Sequence, residues 1–103
     1  MIAQLYELGS PDVKKIGPVL RDENIHYMQM VLPAGERLPV HMTNGNVYMT
    51  VLSGTLILRL ADEQPMTVPA RTVLKIPKGV EMDAQNGGGD TLELLVVKAP
   101  APQ

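Results

Sequence analysis

Two histidines, His26 and His41, are the only imidazoles in this 103-residue chain. Either ring can act as a general base near neutral pH or offer a nitrogen to a divalent metal. Cysteine is absent, which removes disulfides, zinc–thiolate centres and thiol nucleophiles. The thioethers of Met28, Met30, Met42, Met49 and Met82 are soft ligands of the kind copper(I) prefers. There is no Phe and no Trp, however, so the seven Met have a more ordinary task as adaptable core fillers. Glu81 and Asp83 flank Met82 and, on an alternating strand, point away from it, which leaves no paired-carboxylate acid/base site. Asp12, Asp22, Glu23 and Glu63 fall at turn positions and read as solvated surface. The run "NGGGD" (86–90) has neither a following helix nor the Lys-Ser/Thr of a phosphate loop, and is expected to be a hairpin turn.

The elements that would position these groups are short. Nine Gly and nine Pro punctuate the chain, and between them apolar and polar residues alternate. "IHYMQMVL" (25–32), "VYMTVL" (47–52), "TLILRL" (55–60), "MTV" (66–68), "TVLKI" (72–76) and "TLELLVV" (91–97) each end at turn residues, a pattern that predicts an all-β sandwich or barrel. The only helical signal is "SPDVKK", where Ser10 could cap a turn that Gly17-Pro18 ends. The tail "APAPQ" is expected to be extended and weakly ordered.

Alternation also assigns faces. Val47, Met49 and Val51 point one way, and Tyr48, Thr50 and Leu52 the other. With both faces largely apolar, one is expected to line the barrel and the other to meet a partner, so a homodimer is expected. Tyr27 and Tyr48 are read as packing residues whose hydroxyls reach a surface or interface. His26 shares a face with Met28, Met30 and Leu32 and reads as a packed, structural histidine.

Composition excludes several classes of function. A net charge of −2, with basic residues scattered apart from Lys14-Lys15, lacks the basic stripe and stacking aromatics of a nucleic-acid binder. No run approaches the roughly 18 apolar residues of a membrane span, and "MIAQLYELGSPD" has no basic lead before an apolar stretch. A soluble cytoplasmic protein of one domain (1–103) is the expectation, large enough to bury somewhat more than ~60% of its unfolded surface.

"GERLPVHMTNGNVYMTVLSG" (35–54) and "RTVLKIPKGVEMDAQN" (71–86) together resemble the two motifs of the cupin family, small jelly-roll barrels also described as double-stranded β-helices. In the first motif (about 35–54) Gly35, Pro39, His41 and Gly54 match, while Thr43 stands for the second His and Val47 for the Glu. In the second (about 71–86) Pro77, Gly79 and Asn86 match, Arg71 replaces the first Gly and Met82 the His. The resemblance implies a cupin-type β-barrel over the whole chain. In metal-bearing cupins three His and one Glu converge on one divalent ion. Here the corresponding set is His41, Thr43, Val47 and Met82, so the degenerate motifs imply the barrel without the metal.

Three functional readings follow from the resemblance. The first is a metal-free cupin with no cofactor, either binding a small apolar or mixed molecule in a pocket lined by His41, Thr43, Val47, Met49 and Met82, or serving as a dimeric scaffold or accessory protein. Gln85 and Asn86 could add polar groups to such a pocket, although Asn86 reads better as a turn residue bonded to local backbone. The second is a metal-independent isomerase or epimerase with His41 as catalytic base. The third is a metal-dependent dioxygenase, for which a divalent transition metal would need ligands from outside the motifs, with His26 the only other imidazole.

Overall fold

Alternation turns into strand wherever the chain can bury one face, and nine strands form among residues 1–102, which the computed structural model describes. They are β1 (Lys15–Arg21), β2 (His26–Leu32), β3 (His41–Met42), β4 (Val47–Ser53), β5 (Thr55–Leu60), β6 (Met66–Pro69), β7 (Thr72–Ile76), β8 (Glu81–Asn86) and β9 (Leu92–Lys98). A five-stranded sheet has the order β1-β2-β9-β4-β7, and a four-stranded sheet the order β3-β8-β5-β6. Every pairing within them is antiparallel. Only β1–β2 and β5–β6 are hairpins between neighbours in sequence; every other connection crosses from one sheet to the other. That repeated crossing wraps the two sheets around one interior and gives the expected jelly-roll barrel.

The expected faces hold on the inner side. Val47, Met49 and Val51 are at most 1% exposed, and they pack with Leu32, Leu56, Leu58, Leu92 and Leu94 in one core. Burying each such side chain contributes on the order of 1.5–3 kcal/mol, so this row alone outweighs any single surface interaction. On the outer side Tyr48 and Leu52 remain more than a third exposed.

Gly54 sits where the chain leaves β4 for the other sheet. Its φ is +83°, a backbone conformation that suits glycine, and a Cβ there would lie 2.5 Å from the Thr91 carbonyl oxygen and 2.8 Å from Leu92 Cα. Neither backbone atom can move without opening the β4–β9 ladder.

Several elements differ from the sequence expectation, each for a physical reason. β1 runs straight through Gly17-Pro18, because it is an edge strand, where proline is tolerated, and its register slips between Pro18 and Leu20. β8, "EMDAQN", is hidden by its charged outer face. "NGGGD" is no hairpin turn: it carries the chain from β8 in one sheet to β9 in the other. "SPDVKK" gives a single turn, with Asp12 N donating to Ser10 Oγ at 3.1 Å, and then strand. The tail is extended but held, since Ala99 N donates to Asn46 O and Ala101 N to Asn24 O; Gln103 lies outside the described residues.

Asp22 closes the β1–β2 turn by accepting from Asn24 N at 2.8 Å and Ile25 N at 3.0 Å. The Ile25 and Asn24 amides hold its carboxyl below the usual carboxylate range. A depressed folded value contributes stability above that range and loses it as pH falls through it. Both the crossing glycine and the turn carboxylate can be probed by substitution. Gly54→Ala should cost about 2–4 kcal/mol in urea denaturation, from combined strain and overpacking. Asp22→Asn should flatten the acid side of the stability profile, so that the melting temperature falls less between about pH 6 and about pH 3 than in the parent chain.

Candidate functional site

His41 begins the two-residue strand β3 and lies directly opposite Met82 of β8, so the two are neighbours, as the motif spacing implied. They differ sharply in environment: Met82 is 4% exposed inside the core, whereas His41, on an edge strand, is exposed. His41 Nδ1 lies 2.9 Å from the Pro39 carbonyl oxygen. A carbonyl only accepts, so Nδ1 carries the proton and Nε2 is the nitrogen left for a ligand or a proton.

Thr43 is occupied structurally. Its Oγ1 donates to Pro77 O at 2.8 Å and accepts from Val80 N at 2.9 Å. Its own backbone N donates to Val80 O, and its carbonyl accepts from Gly79 N, both at 2.9 Å. One side chain of the first motif thus clamps the Pro77-x-Gly79 loop of the second. Val47 and Met49 are 1% and 0% exposed and belong to the same core cluster as Met82.

Outside this group, His26 is half-buried on β2, across from Arg21 and Lys98. Met30, Met49 and Met82 are core residues, while Met42 is 57% exposed. Asp83 points away from the interior, and Arg37 Nη2 donates to both its oxygens at 2.6 and 2.8 Å, with Arg59 Nη2 at 3.6 Å. Among the described residues no three His, Asp or Glu side chains converge into a metal-binding group.

Three clefts open on the surface formed by the described residues, and His41, Thr43, Val47, Met49 and Met82 line none of them. One of about 350 Å³ lies between Glu23, Asn46, Lys78 and the Pro100–Pro102 tail. A second of about 550 Å³ borders this group, lined by Met42, Arg59, Asp62, Gly79, Val80 and Glu81. The third, about 380 Å³, is lined by Leu5, Tyr6, Leu8, Leu20 and Tyr27.

Asn86 was expected in a turn but ends strand β8; its side chain does bond local backbone, and it reaches β2 as well. Its Nδ2 donates to Leu32 O and Asp90 O, and its Oδ1 accepts from Gly88 N. Gln29 was not singled out in the sequence, yet it is wholly buried on the outer side of the larger sheet. Its Oε1 accepts from Gly9 N at 2.6 Å, and its Nε2 donates to Gly9 O and to Glu93 Oε2, both at 2.9 Å. The available signal was one amide in an apolar run, "HYMQMVL", at a position facing away from the core.

Two sheets wound as a jelly roll, with two glycine-framed motifs at one end, define a double-stranded β-helix protein of the cupin class. No family model matches the chain. An uncharacterised protein of Methanocaldococcus jannaschii is 33% identical over 104 residues, spanning 100% of this chain and 90% of the relative. The crystal structure of that archaeal protein, an RmlC-like cupin family protein with a double-stranded β-helix fold, superposes with a TM-score of 0.92 over 97% of this chain and 93% of the other. A Thermus thermophilus structure is 26% identical, with a TM-score of 0.76 over 90% of this chain and 89% of that one. A Klebsiella pneumoniae protein with a double-stranded β-helix domain, at 17% identity and a TM-score of 0.76 over 90% of this chain and 89% of that one, shares the fold. This chain belongs to the RmlC-like cupin family.

The divalent ion of metal-bearing cupins does not fit the residues found here. One exposed imidazole, a hydroxyl already bonded twice, a buried valine and a buried thioether supply one nitrogen donor and no negative charge. Thr43→Val should leave the Val80 amide and the Pro77 carbonyl unpaired and cost about 1–3 kcal/mol. Thr43→Ser, which keeps both bonds, should lose clearly less, and paired urea titrations of the two variants measure the difference.

Proposed function

We propose that this cupin works without a metal and acts as a scaffold or accessory protein through its outer surface, the barrel interior serving as its core. One observation carries the reading. The positions where metal-bearing cupins place ligands inside the barrel hold Thr43, Val47 and Met82, each at most 4% exposed and packed or hydrogen-bonded within the chain. Val47 and Met82 are committed to the core and Thr43 to the Pro77–Val80 loop. The small-molecule version of the reading would use the cleft lined by Met42, Gly79, Val80 and Glu81, which borders His41 and Thr43 without being lined by either.

A His41-based isomerase would need a group to orient the imidazole and a second acid at hydrogen-bond distance. His41 is oriented by a backbone carbonyl, and the nearby carboxylate Asp83 is committed to Arg37. The scaffold reading therefore rests on the fewest unfilled roles.

Metal analysis by inductively coupled plasma mass spectrometry, on untagged protein purified without chelator, tests this directly. Less than ~0.1 equivalent of any transition metal per chain is expected, well below the near-full occupancy of a functional site. Near-stoichiometric metal that disappears in His41→Ala would sink the reading and make His41 part of a working centre.

A further inference from the structure

The cleft of about 350 Å³ between Glu23, Asn46, Lys78 and the tail is walled by three connections and the end of the chain, and each wall is tied down. Glu23 sits in the β1–β2 turn, which Asp22 closes through the Asn24 and Ile25 amides. Asn44 and Asn46 lie between β3 and β4, and Asn46 Oδ1 accepts from Lys78 N at 3.2 Å. Thr43 fastens the Lys78 loop on both sides of that residue, at Pro77 O and at Val80 N. The tail spans the first two walls: Ala99 N donates to Asn46 O at 3.1 Å and Ala101 N to Asn24 O at 2.9 Å. Pro102 rests on Gly45, where a Cβ would meet the proline Cγ at 3.7 Å.

The charges on these fixed walls are not neutralised by each other. Among the described residues neither Glu23 nor Lys78 forms an ion pair, whereas Glu36 takes Lys14, and Asp83 takes Arg37 and Arg59. One carboxylate and one ammonium therefore border a single cleft without meeting. Asn46 has committed its side-chain oxygen to Lys78 N and keeps the two hydrogens of Nδ2 as donors. Pro100 and Pro102 carry no N–H, so the tail offers the cleft an apolar wall.

Charge and size select the occupant. A phosphate or other polyanion would be repelled by Glu23, and a polyamine or divalent cation by Lys78. A molecule with one ammonium and one carboxylate satisfies both groups. Small-molecule pockets run from about 300 to about 1,000 Å³, and a cleft near the lower limit suits a single amino acid better than a nucleotide or a lipid.

We infer that this cleft binds a zwitterionic α-amino acid with an apolar side chain. The ligand ammonium donates to the Glu23 carboxylate, the ligand carboxylate accepts from Lys78 Nζ and Asn46 Nδ2, and the apolar side chain packs on Pro100 and Pro102. The walls are preorganised, so little ordering is left to oppose binding. None of the inward motif positions lines this cleft, and the inference goes beyond the scaffold reading and is tested separately from it. Thr43 and Asn46 gain a second task here, as positioning residues for the loop that carries Lys78.

Amide nitrogen–proton correlation spectra of the full chain, titrated with L-phenylalanine, phenylacetate and phenethylamine, test the inference. The last two probes each lack one of the two charges. L-Phenylalanine is expected to shift the amides of Gly45, Asn46, Lys78 and Ala101 with a dissociation constant at or below about 1 mM, within reach of a ligand of roughly a dozen non-hydrogen atoms. Each one-charge probe is expected to bind at least ~10-fold more weakly, and Glu23→Gln and Lys78→Gln should each weaken L-phenylalanine by a similar factor, as loss of one charge-assisted hydrogen bond does. Glu23 and Lys78 are exposed, so both variants should fold, and their spectra verify it. Lys75→Gln, which removes one positive charge from β7 outside the cleft, should leave the affinity unchanged. No shift at about 10 mM, tenfold above the expected constant, overturns the inference, as do shifts confined to another surface. A one-charge probe that binds as tightly as L-phenylalanine overturns it too, as does an affinity that ignores both cleft variants.

Discussion

The structure depends on closing two sheets over an interior that holds no aromatic ring. Leu, Val, Ile and Met fill it at close to zero exposure, and the strands must approach closely for such side chains to meet across the barrel. Close approach is possible only where the turns are tight. Gly54 shows the limit, since its Cα lies so near the Thr91–Leu92 backbone that a single methyl group has no place. Gly35 and Gly79, the other motif glycines in the left-handed region, have open space around them and serve for conformation alone.

This separates the two things a cupin motif encodes. One is a set of turns, written in glycine and proline, that wraps the sheets. The other is a set of ligands pointing inward. In this chain Gly35, Pro39, Gly54, Pro77 and Gly79 remain, while the inward positions have joined the core or the hydrogen-bond network of the turns. Fold and chemistry are independent layers of the same segment, and a family resemblance carried by the first layer does not bring the second with it.

How much of this could be read from the residues differs by element. β4, β5 and β7 were legible because both the apolar alternation and the turn residues at their ends are strong. β8 carries the register partner of His41, yet "EMDAQN" reads as polar when taken alone; its meaning lies in Met82, Ala84 and Asn86 facing in while Asp83 meets Arg37. β1 was obscured by Gly17-Pro18, which punctuates a chain in general but is harmless on a sheet edge. The site was legible only as a list of substitutions. That Thr43 bonds Pro77 and Val80, rather than facing an open pocket, is a long-range fact, and the motif spacing contains no trace of it.

The buried polar groups hold separate segments of the chain together. Gln29, Thr43 and Asn86 are the polar side chains of the buried set. Each bonds the main chain of another segment: Gln29 fixes the arm at Gly9, Thr43 fixes the Pro77–Val80 loop, and Asn86 fixes the connection between β8 and β9 to the end of β2. Among the described residues no buried side-chain nitrogen or oxygen lacks a partner. Desolvating an amide or hydroxyl is costly unless its bonds are replaced, and in this chain every such cost is offset by a fastening between segments. Two of the three fasten the connections that carry the cupin motifs, and the third fastens the arm to the outer face. The polar specificity of the buried set has gone into holding the connections and the arm in place.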